Sequence, residues 1–141
     1  MMIRIRMAVP DDAAELMAMN REFNGVDDVS EDDVRAELAQ GGELVAVADA
    51  GECLAGYCCA QKYKSFCYKR PVAEMTELYV RAEFRHKGLS SRLIACQMDA
   101  LRAMGVDEVK VLTGADNAVA QAVYRANGFD KQDETCLARR L

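Results

Sequence analysis

Residues 74–112 have the pattern of a strand, a long helix and a second strand. Glu74–Val80 is predicted as the first strand, and Val109–Leu112, which is rich in valine, as a buried strand. The residues between them place apolar side chains at helical spacing and end at Gly105. Two strands joined by a crossover helix pair in parallel, so this unit predicts a sheet covered by helices.

The rest of the chain adds helices and antiparallel hairpins to this unit. In chain order these are a strand at Ile3–Ala8, a helix opened by Pro10, a helix from Ser30 to about Gln40, strands at Leu44–Ala48 and Cys53–Tyr63, a helix at Asn117–Asn127, and one or two strands from Phe129 to Leu141. The full order is β-α-α-β-β-β-α-β-α-β(-β), a mixed α/β sheet. With 141 residues, the chain is assigned to a single domain, residues 1–141.

Composition narrows the function classes. The chain carries 18 Lys and Arg against 23 Asp and Glu, a net charge of −5, which argues against nucleic acid as a partner. No apolar run approaches the roughly 20 residues of a membrane span, so no membrane association is expected. The N-terminal residues alternate apolar and basic side chains, which is typical of a strand and not of a signal peptide. A cytoplasmic location is therefore predicted.

The six cysteines do not have the spacing of a metal site. None of them forms a C-x-x-C pair, and His86 is the single histidine. Zinc sites need clustered ligands at short spacings, so no metal is predicted. Reduced thiols that pack as small apolar side chains are the preferred interpretation.

The stretch FRHKGLSSRL concentrates positive charge at one point of an acidic chain. Three basic residues precede a glycine at a predicted helix start, and two serines follow it: Arg85, His86, Lys87, Gly88, Ser90 and Ser91. Helix starts expose free amides and a partial positive charge, and phosphate binds there readily. A solvated basic turn is the alternative. The G-x-x-x-x-G-K-[ST] and G-x-G-x-x-G nucleotide motifs are both absent.

These residues resemble a known signature. Val80–Leu93 is similar to the acetyl-CoA-binding motif of the GNAT superfamily of N-acetyltransferases, which has Arg or Gln, two residues, Gly, one residue, then Gly or Ala. Ser90 stands where the family has the last Gly or Ala. Asn117–Phe129 resembles the second motif of the family, an Asn, a helix carrying Tyr, then Gly-Phe or Gly-Tyr. The resemblance implies the GNAT fold, with acetyl-CoA as cosubstrate.

The resemblance also implies which residues contact the coenzyme. Acetyl-CoA would lie where two parallel strands splay apart, with backbone groups along the first strand holding its pantetheine arm and amides of the basic turn holding its pyrophosphate. The residues expected there are Leu78, Tyr79, Val80, Arg85, His86, Lys87, Gly88, Leu89, Ser90, Ser91 and Asn117. Two of these residues have a structural alternative to a coenzyme contact: Tyr79 could be a core residue, and Asn117 could only cap its helix.

Three residues are candidates for catalysis. In the family, the tyrosine that matches Tyr124 protonates the departing thiolate; a packed core ring is its alternative. An acceptor amine arrives mostly protonated, so a carboxylate near the acetyl group would accept its proton. Glu77 is favoured and Glu74 is second, because strand alternation is expected to send them to opposite faces. Either could instead be an exposed strand residue.

The predicted function is transfer of an acetyl group from acetyl-CoA to a primary amine of a small molecule, aminoglycoside-like or polyamine-like, by direct attack in a ternary complex. The alternatives are acetylation of a protein lysine or N-terminus, and a non-catalytic acyl-CoA-binding module. The acceptor side is expected to include the N-terminal helices, the stretch REFNGVDD and the basic loop Lys64–Pro71, which could instead cover the coenzyme. Asp27 and Asp28 of that stretch could attract a cationic amine, but a solvated loop is the preferred interpretation for them. Homodimers are common in the family, so self-association is included among the partners.

Overall fold

The computed structural model describes residues 2–25 and 28–141 and has one five-stranded sheet at its centre. The strands are Arg4–Met7 (β1), Leu44–Asp49 (β2), Leu54–Tyr63 (β3), Val72–Val80 (β4) and Val109–Val111 (β5). The α-helices are Ala13–Asn24 (α1), Glu31–Gln40 (α2), Leu89–Ala103 (α3) and Ala118–Ala126 (α4), and short 3-10 helices span Pro10–Asp12 and Ala82–Phe84. The strands lie side by side in the order β1-β2-β3-β4-β5, which confirms the mixed α/β sheet.

The crossover unit forms as predicted. β4 and β5 pair in parallel, with Ala73 opposite Val109 and Met75 opposite Val111, whereas the other neighbouring strands are antiparallel. α3 connects them and packs on the sheet. The side chain of Gln97 on α3 is fully buried, and its Nε2 donates to the carbonyl of Leu44 at 2.9 Å and that of Cys58 at 2.6 Å. One amide thus fixes the helix to β2 and β3.

The two faces of the sheet carry different helices. One face, called the α3 face below, buries residues of α3 against alternate strand residues; it includes Ala46, Cys58, Met75, Val80, Leu89, Leu93 and Ile94. The opposite face, called the α1 face, packs α1 against the intervening strand residues; it includes Leu16, Met19, Val45, Val47, Tyr57 and Cys59. This alternation is the period-two pattern of a strand whose two faces are both covered.

The predicted cap of α2 is confirmed. The amide of Asp33 donates to Ser30 Oγ at 3.0 Å, and the amide of Ser30 donates to Asp33 Oδ2 at 3.1 Å. This capping box satisfies two amides that the helix cannot pair internally. The helix ends at Gly41, whose φ of 71° is the left-handed conformation that glycine adopts readily. Both ends of α2 could therefore be located from the sequence.

A β-bulge interrupts the alternation of β4. Glu77 is opposite Cys59 on β3, and Met75 is opposite Ala60, so Thr76 is an extra residue on β4. Glu74 is opposite Gln61. Since residues 59 and 61 are two apart on β3, their partners share one face. The prediction that Glu74 and Glu77 point to opposite faces is therefore wrong: the bulge returns both carboxylates to the α1 face.

The segment after α4 also departs from the prediction. One or two strands were expected from Phe129 to Leu141, but these residues, all of which the structure describes, form none. Most of the segment is polar, and Leu137 and Leu141 are exposed. A surface ion pair between Lys110 Nζ and Glu134 Oε2 at 3.0 Å links the segment to β5. A strand needs an apolar face to bury, and this segment offers too little apolar surface to extend the sheet.

Replacing Arg81 by methionine should lower the free energy of unfolding by about 1–3 kcal/mol. The Arg81 side chain is 14% exposed, and it joins the end of β4 to α1 through Glu15 at 3.0 Å and Glu22 at 2.9 Å. Urea denaturation of both proteins measures the difference. The control is Arg102→Met: that side chain is 73% exposed and its pair with Asp99 lies on the surface, so the loss should stay within about 0.5 kcal/mol. Equal losses for both variants would contradict this role of Arg81.

Candidate active site

A gap opens between β4 and β5 beyond their last paired residues. Their pairing ends at Met75 and Val111, but β4 continues to Val80. The amide of Arg81 donates to the carbonyl of Ala55 on β3 at 2.8 Å. Backbone groups of a strand alternate in direction, so those of Val80 and Leu78 point away from β3 and into the gap. The two positions predicted for the pantetheine arm thus present backbone groups where β5 has ended.

Arg85 already uses one of these backbone groups. Its Nε donates to the carbonyl of Val80 at 2.8 Å. The amide of Val80 and both backbone groups of Leu78 therefore remain to bind an extended ligand. This contact also holds the turn that follows β4 against the end of the strand, and no pattern in the sequence predicts it.

The turn before α3 brings backbone amides together. Gly88 has φ 76°, and His86, with φ 63°, is the only described non-glycine residue with a positive φ. Histidine tolerates this region better than most side chains do. The first hydrogen bond of α3 runs from the Arg92 amide to the Gly88 carbonyl at 3.2 Å, so the amides of residues 89–91 precede the ladder. Such a left-handed turn ahead of a helix is an anion-binding arrangement.

The turn has three exposed basic side chains and one buried apolar side chain. Arg85, His86 and Lys87 are exposed, whereas Leu89 is 3% exposed and lies in the core of the α3 face. Leu89 thus offers an anion its amide only. Nothing lies within 4 Å of the point where a Gly88 Cβ would be, so the space in front of the helix is open. The turn therefore combines basic side chains with open space in which a phosphate group could approach the backbone.

Ser91 is joined to α4 through a residue that the sequence did not identify. The side-chain amide of Asn127 donates to Ser91 Oγ at 3.1 Å and to the carbonyl of Val123 at 2.8 Å. Because the hydroxyl oxygen accepts this bond, its hydrogen is free to donate elsewhere. Ser90, which replaces the usual small residue of the motif, is half-buried in the first turn of α3.

α4 carries Tyr124 to the α3 face. The ring is half-buried against the core of that face and meets Phe129 edge-on at 5.9 Å. Burial raises the pKa of the Tyr124 phenol, and the neighbouring Cys58 and Glu77 raise it further. Tyr124 and Glu77 thus approach each other from the two faces of the sheet. Asn117 caps α4: its side-chain oxygen accepts a hydrogen bond from the Ala120 amide at 3.1 Å. This is the structural alternative that the sequence analysis gave for Asn117.

Glu77 lies half-buried on the α1 face, and burial raises the pKa of its carboxyl. A second carboxylate was missed. Glu43, immediately before β2, is half-buried beside Cys59 and Gln61; burial is the largest cause of its raised pKa, and Glu37 and Glu77 raise it as well. The available signal was its spacing of two from Val45 on the same face. Two acids that disfavour each other's charge form a site suited to a cation.

Tyr79 does not face the gap. Its Cα is opposite that of Tyr57 on β3, and its side chain lies on the α1 face. There the ring stacks on Phe23 at 5.0 Å, and the hydroxyl donates to Glu22 at 3.1 Å. The Arg85 guanidinium lies 5.9 Å from the same ring. Tyr79 therefore belongs to the side of the sheet that carries Glu77.

Two segments that were expected on the acceptor side are far from the turn or only partly described. The basic loop at 64–71 precedes β4, whereas the turn at 85–88 follows it, so they are separated by the strand, about 26 Å at ~3.3 Å per residue. The role of the loop, on the acceptor side or over another part of the coenzyme, stays a prediction. Asp27 lies outside the described residues, and Asp28 is exposed.

The part of the chain that the structure describes has neither a metal cluster nor a membrane-spanning helix. Within residues 2–25 and 28–141, no three or more His, Cys, Asp or Glu side chains are placed to hold a metal ion. All six cysteines are free thiols, with Cys58 and Cys59 buried. None of the helices in the described residues has the length and apolar character needed to cross a bilayer.

The family of the chain follows from comparison with known proteins. A family model described as the acetyltransferase (GNAT) family matches residues 13–129, most of the chain. The chain belongs to this GNAT family. The match confirms the family that the two sequence motifs implied. Its mixed sheet, splayed between β4 and β5, is the fold of a GNAT acetyltransferase.

Individual relatives of this GNAT acetyltransferase include enzymes with different acceptors. It is 44% identical over 57 residues to mycothiol acetyltransferase of Clavibacter michiganensis subsp. michiganensis (strain NCPPB 382), and the match covers 40% of this chain but only 19% of that protein. The aminoglycoside acetyltransferase meta-AAC0020 from an uncultured soil metagenomic sample, solved with sisomicin, has a TM-score of 0.86, 16% identity and coverage of 99% of this chain and 96% of its own. AAC(6')-Iy, solved with the bisubstrate analogue CoA-S-monomethyl-acetylneamine, has a TM-score of 0.86, 21% identity and coverage of 100% and 99%. At these identities the two structures establish a shared fold.

Proposed function

We propose that the protein transfers the acetyl group of acetyl-CoA to the primary amine of a small cationic molecule, aminoglycoside-like or polyamine-like, by direct attack in a ternary complex. The observation that carries the proposal is the arrangement along one strand. β4 offers free backbone groups to the gap at Leu78 and Val80, leads into the cationic turn at 85–88, and holds Glu77 beside the gap. Coenzyme and amine would thus meet at the bulge.

The chain has the donors that the coenzyme needs. Bound acetyl-CoA supplies an activated acetyl thioester. The amides of residues 89–91 and the exposed side chains of His86 and Lys87 would hold its diphosphate, because they combine free N–H groups with positive charge. The open space in front of Gly88 lets the anion approach the backbone closely. The amide of Leu78, which points into the gap, would stabilise the developing oxyanion, usually a large catalytic contribution.

Glu77 would prepare the amine. A primary amine of the lysine type has a pKa of about 10.4 and enters mostly protonated. The negative charges of Glu77 and Glu43 attract that cation, and Glu77, the nearer to the gap, accepts its proton directly or through water. Burial moves the pKa of Glu77 upwards, towards neutral pH, where a general base is most effective.

Tyr124 would assist the leaving thiolate from the α3 face. A free phenol has a pKa of about 10 and a thiol about 8.5, so full proton transfer is uphill by ~2 kcal/mol. Burial raises the pKa of Tyr124 above its ordinary value and increases that cost. The assigned role is therefore a hydrogen bond that stabilises the thiolate, with the proton remaining largely on the phenol oxygen.

Tyr124→Phe should lower kcat about tenfold or more and leave the affinity for acetyl-CoA within about twofold, since a hydrogen bond to a charged group such as the thiolate is worth roughly 1.5 kcal/mol or more. Steady-state kinetics and calorimetric titration separate the two effects. Phe129→Tyr, on the neighbouring ring, is the control for altered packing, since Phe129 meets Tyr124 at 5.9 Å. Unchanged kcat in Tyr124→Phe would return Tyr124 to a packing role.

The preference for a small cationic acceptor is supported by charge. Glu43 and Glu77 are half-buried on the α1 face, which α1 covers. Two relatives by fold are aminoglycoside acetyltransferases. An open groove would instead suit a protein lysine or N-terminus. A non-catalytic module would bind acetyl-CoA but release no thiol from it.

The experiment that tests the proposal is release of free coenzyme A thiol from acetyl-CoA across a panel of amines. The panel should include an aminoglycoside, a polyamine and a lysine-containing peptide. Release with the first two and not the peptide is expected. Release with the peptide alone would replace the small-molecule assignment. Tight coenzyme binding without release for any amine would favour the non-catalytic module.

A further inference from the structure

The hairpin of β3 and β4 extends beyond the rest of the sheet. β2 begins at Leu44, opposite Ala60 on β3, and β5 begins at Val109, opposite Ala73 on β4. Neither neighbouring strand therefore flanks the hairpin residues that lie between Ala60 and Ala73. The segment at 62–70, called the hairpin tip below, is exposed throughout. The hairpin tip thus projects from the sheet into solvent.

The hairpin tip carries exposed aromatic side chains. The chain has five Tyr, four Phe and no Trp, and of these side chains only Tyr63, Phe66 and Tyr68 are more than half exposed, at 55%, 97% and 71%. The turn that presents them is closed by its own hydrogen bonds: the Cys67 amide donates to Ser65 Oγ at 3.1 Å, and the Tyr68 amide donates to the Ser65 carbonyl at 3.2 Å. Rings exposed together in this way indicate a contact surface.

The hairpin tip also concentrates positive charge. Its exposed basic side chains are Lys62, Lys64, Lys69 and Arg70. In the part of the chain that the structure describes, none of these four side chains forms an ion pair with a carboxylate. Residues 53–73 contain no Asp or Glu, although the whole chain has a net charge of −5. The hairpin tip is therefore complementary to an anionic partner that also accepts aromatic rings.

We propose that the hairpin tip binds the surface of an anionic lipid bilayer. The headgroups attract its four cations, Phe66 enters the boundary between headgroups and acyl chains, and Tyr63 and Tyr68 lie at the level of the headgroups, where tyrosine is enriched. A projecting tip meets a flat bilayer end-on, so the acidic remainder of the chain stays away from the anionic surface. Charges more than about 8 Å apart are largely screened at physiological salt.

The position of the hairpin tip leaves the proposed coenzyme site accessible. The tip precedes the first residue of β4, Val72, whereas the turn at 85–88 follows the last, Val80. A protein attached through the tip therefore keeps its phosphate-binding turn at the far end of the strand. The earlier expectation of no membrane association considered only spanning segments, and a tip that lies among headgroups needs no span.

A nucleic acid strand fits the hairpin tip less well. Proteins that bind single strands without sequence preference line a basic groove that follows the backbone over several nucleotides. Here the positive charge is confined to a short projecting turn on an acidic chain, so a strand that extended past the tip would meet negative charge.

The first test is cosedimentation of the full chain with vesicles of phosphatidylcholine alone or mixed in equal parts with phosphatidylserine. Partition into the mixed vesicles should be at least about 100-fold higher, since each basic residue near an anionic surface contributes about a factor of five. Lys64→Gln combined with Lys69→Gln should lower this partition about 25-fold. The control combines Arg102→Gln with Lys131→Gln, which removes the same charge at exposed positions outside the tip and should change the partition less than about threefold.

The second test places a fluorescent probe at the tip. Since the chain has no tryptophan, Phe66→Trp adds a single one, and Leu137→Trp is the control at a position that is 90% exposed and outside the tip. With mixed vesicles, the emission of Phe66→Trp should shift to shorter wavelength and be quenched by brominated lipid, whereas that of Leu137→Trp should not change.

Three results would overturn the proposal. They are equal partition into both kinds of vesicle, equal losses in the two double variants, and an unshifted emission of Phe66→Trp in the presence of mixed vesicles. Tighter binding of a single-stranded oligonucleotide than of mixed vesicles would assign the tip to nucleic acid instead. None of these measurements requires acetyl transfer, so their outcome is independent of the proposed function.

Discussion

Replacing Gly88 by glutamate should weaken acetyl-CoA binding by about 100-fold or more, at ~1.4 kcal/mol for each factor of ten. Gly88 has φ 76°, and the amides that begin α3 follow it directly. A glutamate at this position both strains the backbone and puts a negative charge where the diphosphate would be. Isothermal titration with coenzyme A measures the affinity, and kcat at saturating coenzyme should change less.

The matched control for this substitution is Gly41→Glu. Gly41 ends α2 with φ 71°, nearly the same left-handed conformation, and a Cβ there would also meet nothing within 4 Å. The backbone strain and the added charge are therefore equal, but the position is away from the α3 start. Gly41→Glu should lose stability and keep its affinity. If both variants bind coenzyme A as tightly as the wild-type protein does, the turn before α3 does not bind the diphosphate.

The local signals in the sequence account for most of the fold. Ser30 with Asp33 predicted a capped helix start, and the glycine at 41 predicted its end; the hydrogen bonds and the left-handed φ confirm both. The crossover unit and the cationic turn at 85–88 were also predictable. The helix ends and the turn depend on residues close together in the chain, and the crossover unit follows from three consecutive elements, so patterns in a single sequence predict them.

Features that depend on pairing between distant residues could not be predicted. The bulge at Thr76 exists because β3 and β4 pair with unequal spacing, and nothing in either strand alone marks it. The bulge decides that Glu74 and Glu77 share a face. The stack of Phe23 on Tyr79 joins residues 56 positions apart and depends on how α1 lies against β4. The strands expected between Phe129 and Leu141 were predicted from a few apolar residues, but they do not form. The segment has too little apolar surface to pair with the sheet.

Glu77→Gln should reduce kcat/KM for the acceptor amine by about 100-fold or more, which is the usual contribution of a general base. The amide keeps the shape and hydrogen-bonding capacity of the side chain but accepts no proton and attracts no cation. The KM of acetyl-CoA should stay within about twofold. Glu74→Gln is the control: it lies on the same face, opposite Gln61, but on the other side of the bulge from the gap. A similar loss in both variants would point to charge attraction without proton transfer.

The pH profile gives a second, independent measure of the role of Glu77. The base acts as the carboxylate, so kcat/KM must fall as the pH drops through its pKa. Burial raises that pKa above the ordinary value of 4.5, so the acid limb should lie at higher pH than an exposed glutamate would give. The titratable groups next to Glu77 on this face are Glu43, Tyr57 and Cys59. Of these three, only Glu43 is a carboxyl group; burial raises the pKa of the Tyr57 phenol and of the Cys59 thiol, so both stay protonated in the acidic range. Glu43→Gln should therefore shift the limb towards lower pH, because it removes a negative charge beside Glu77, whereas Glu77→Gln should abolish it. A limb that persists in Glu77→Gln would assign the proton to another group.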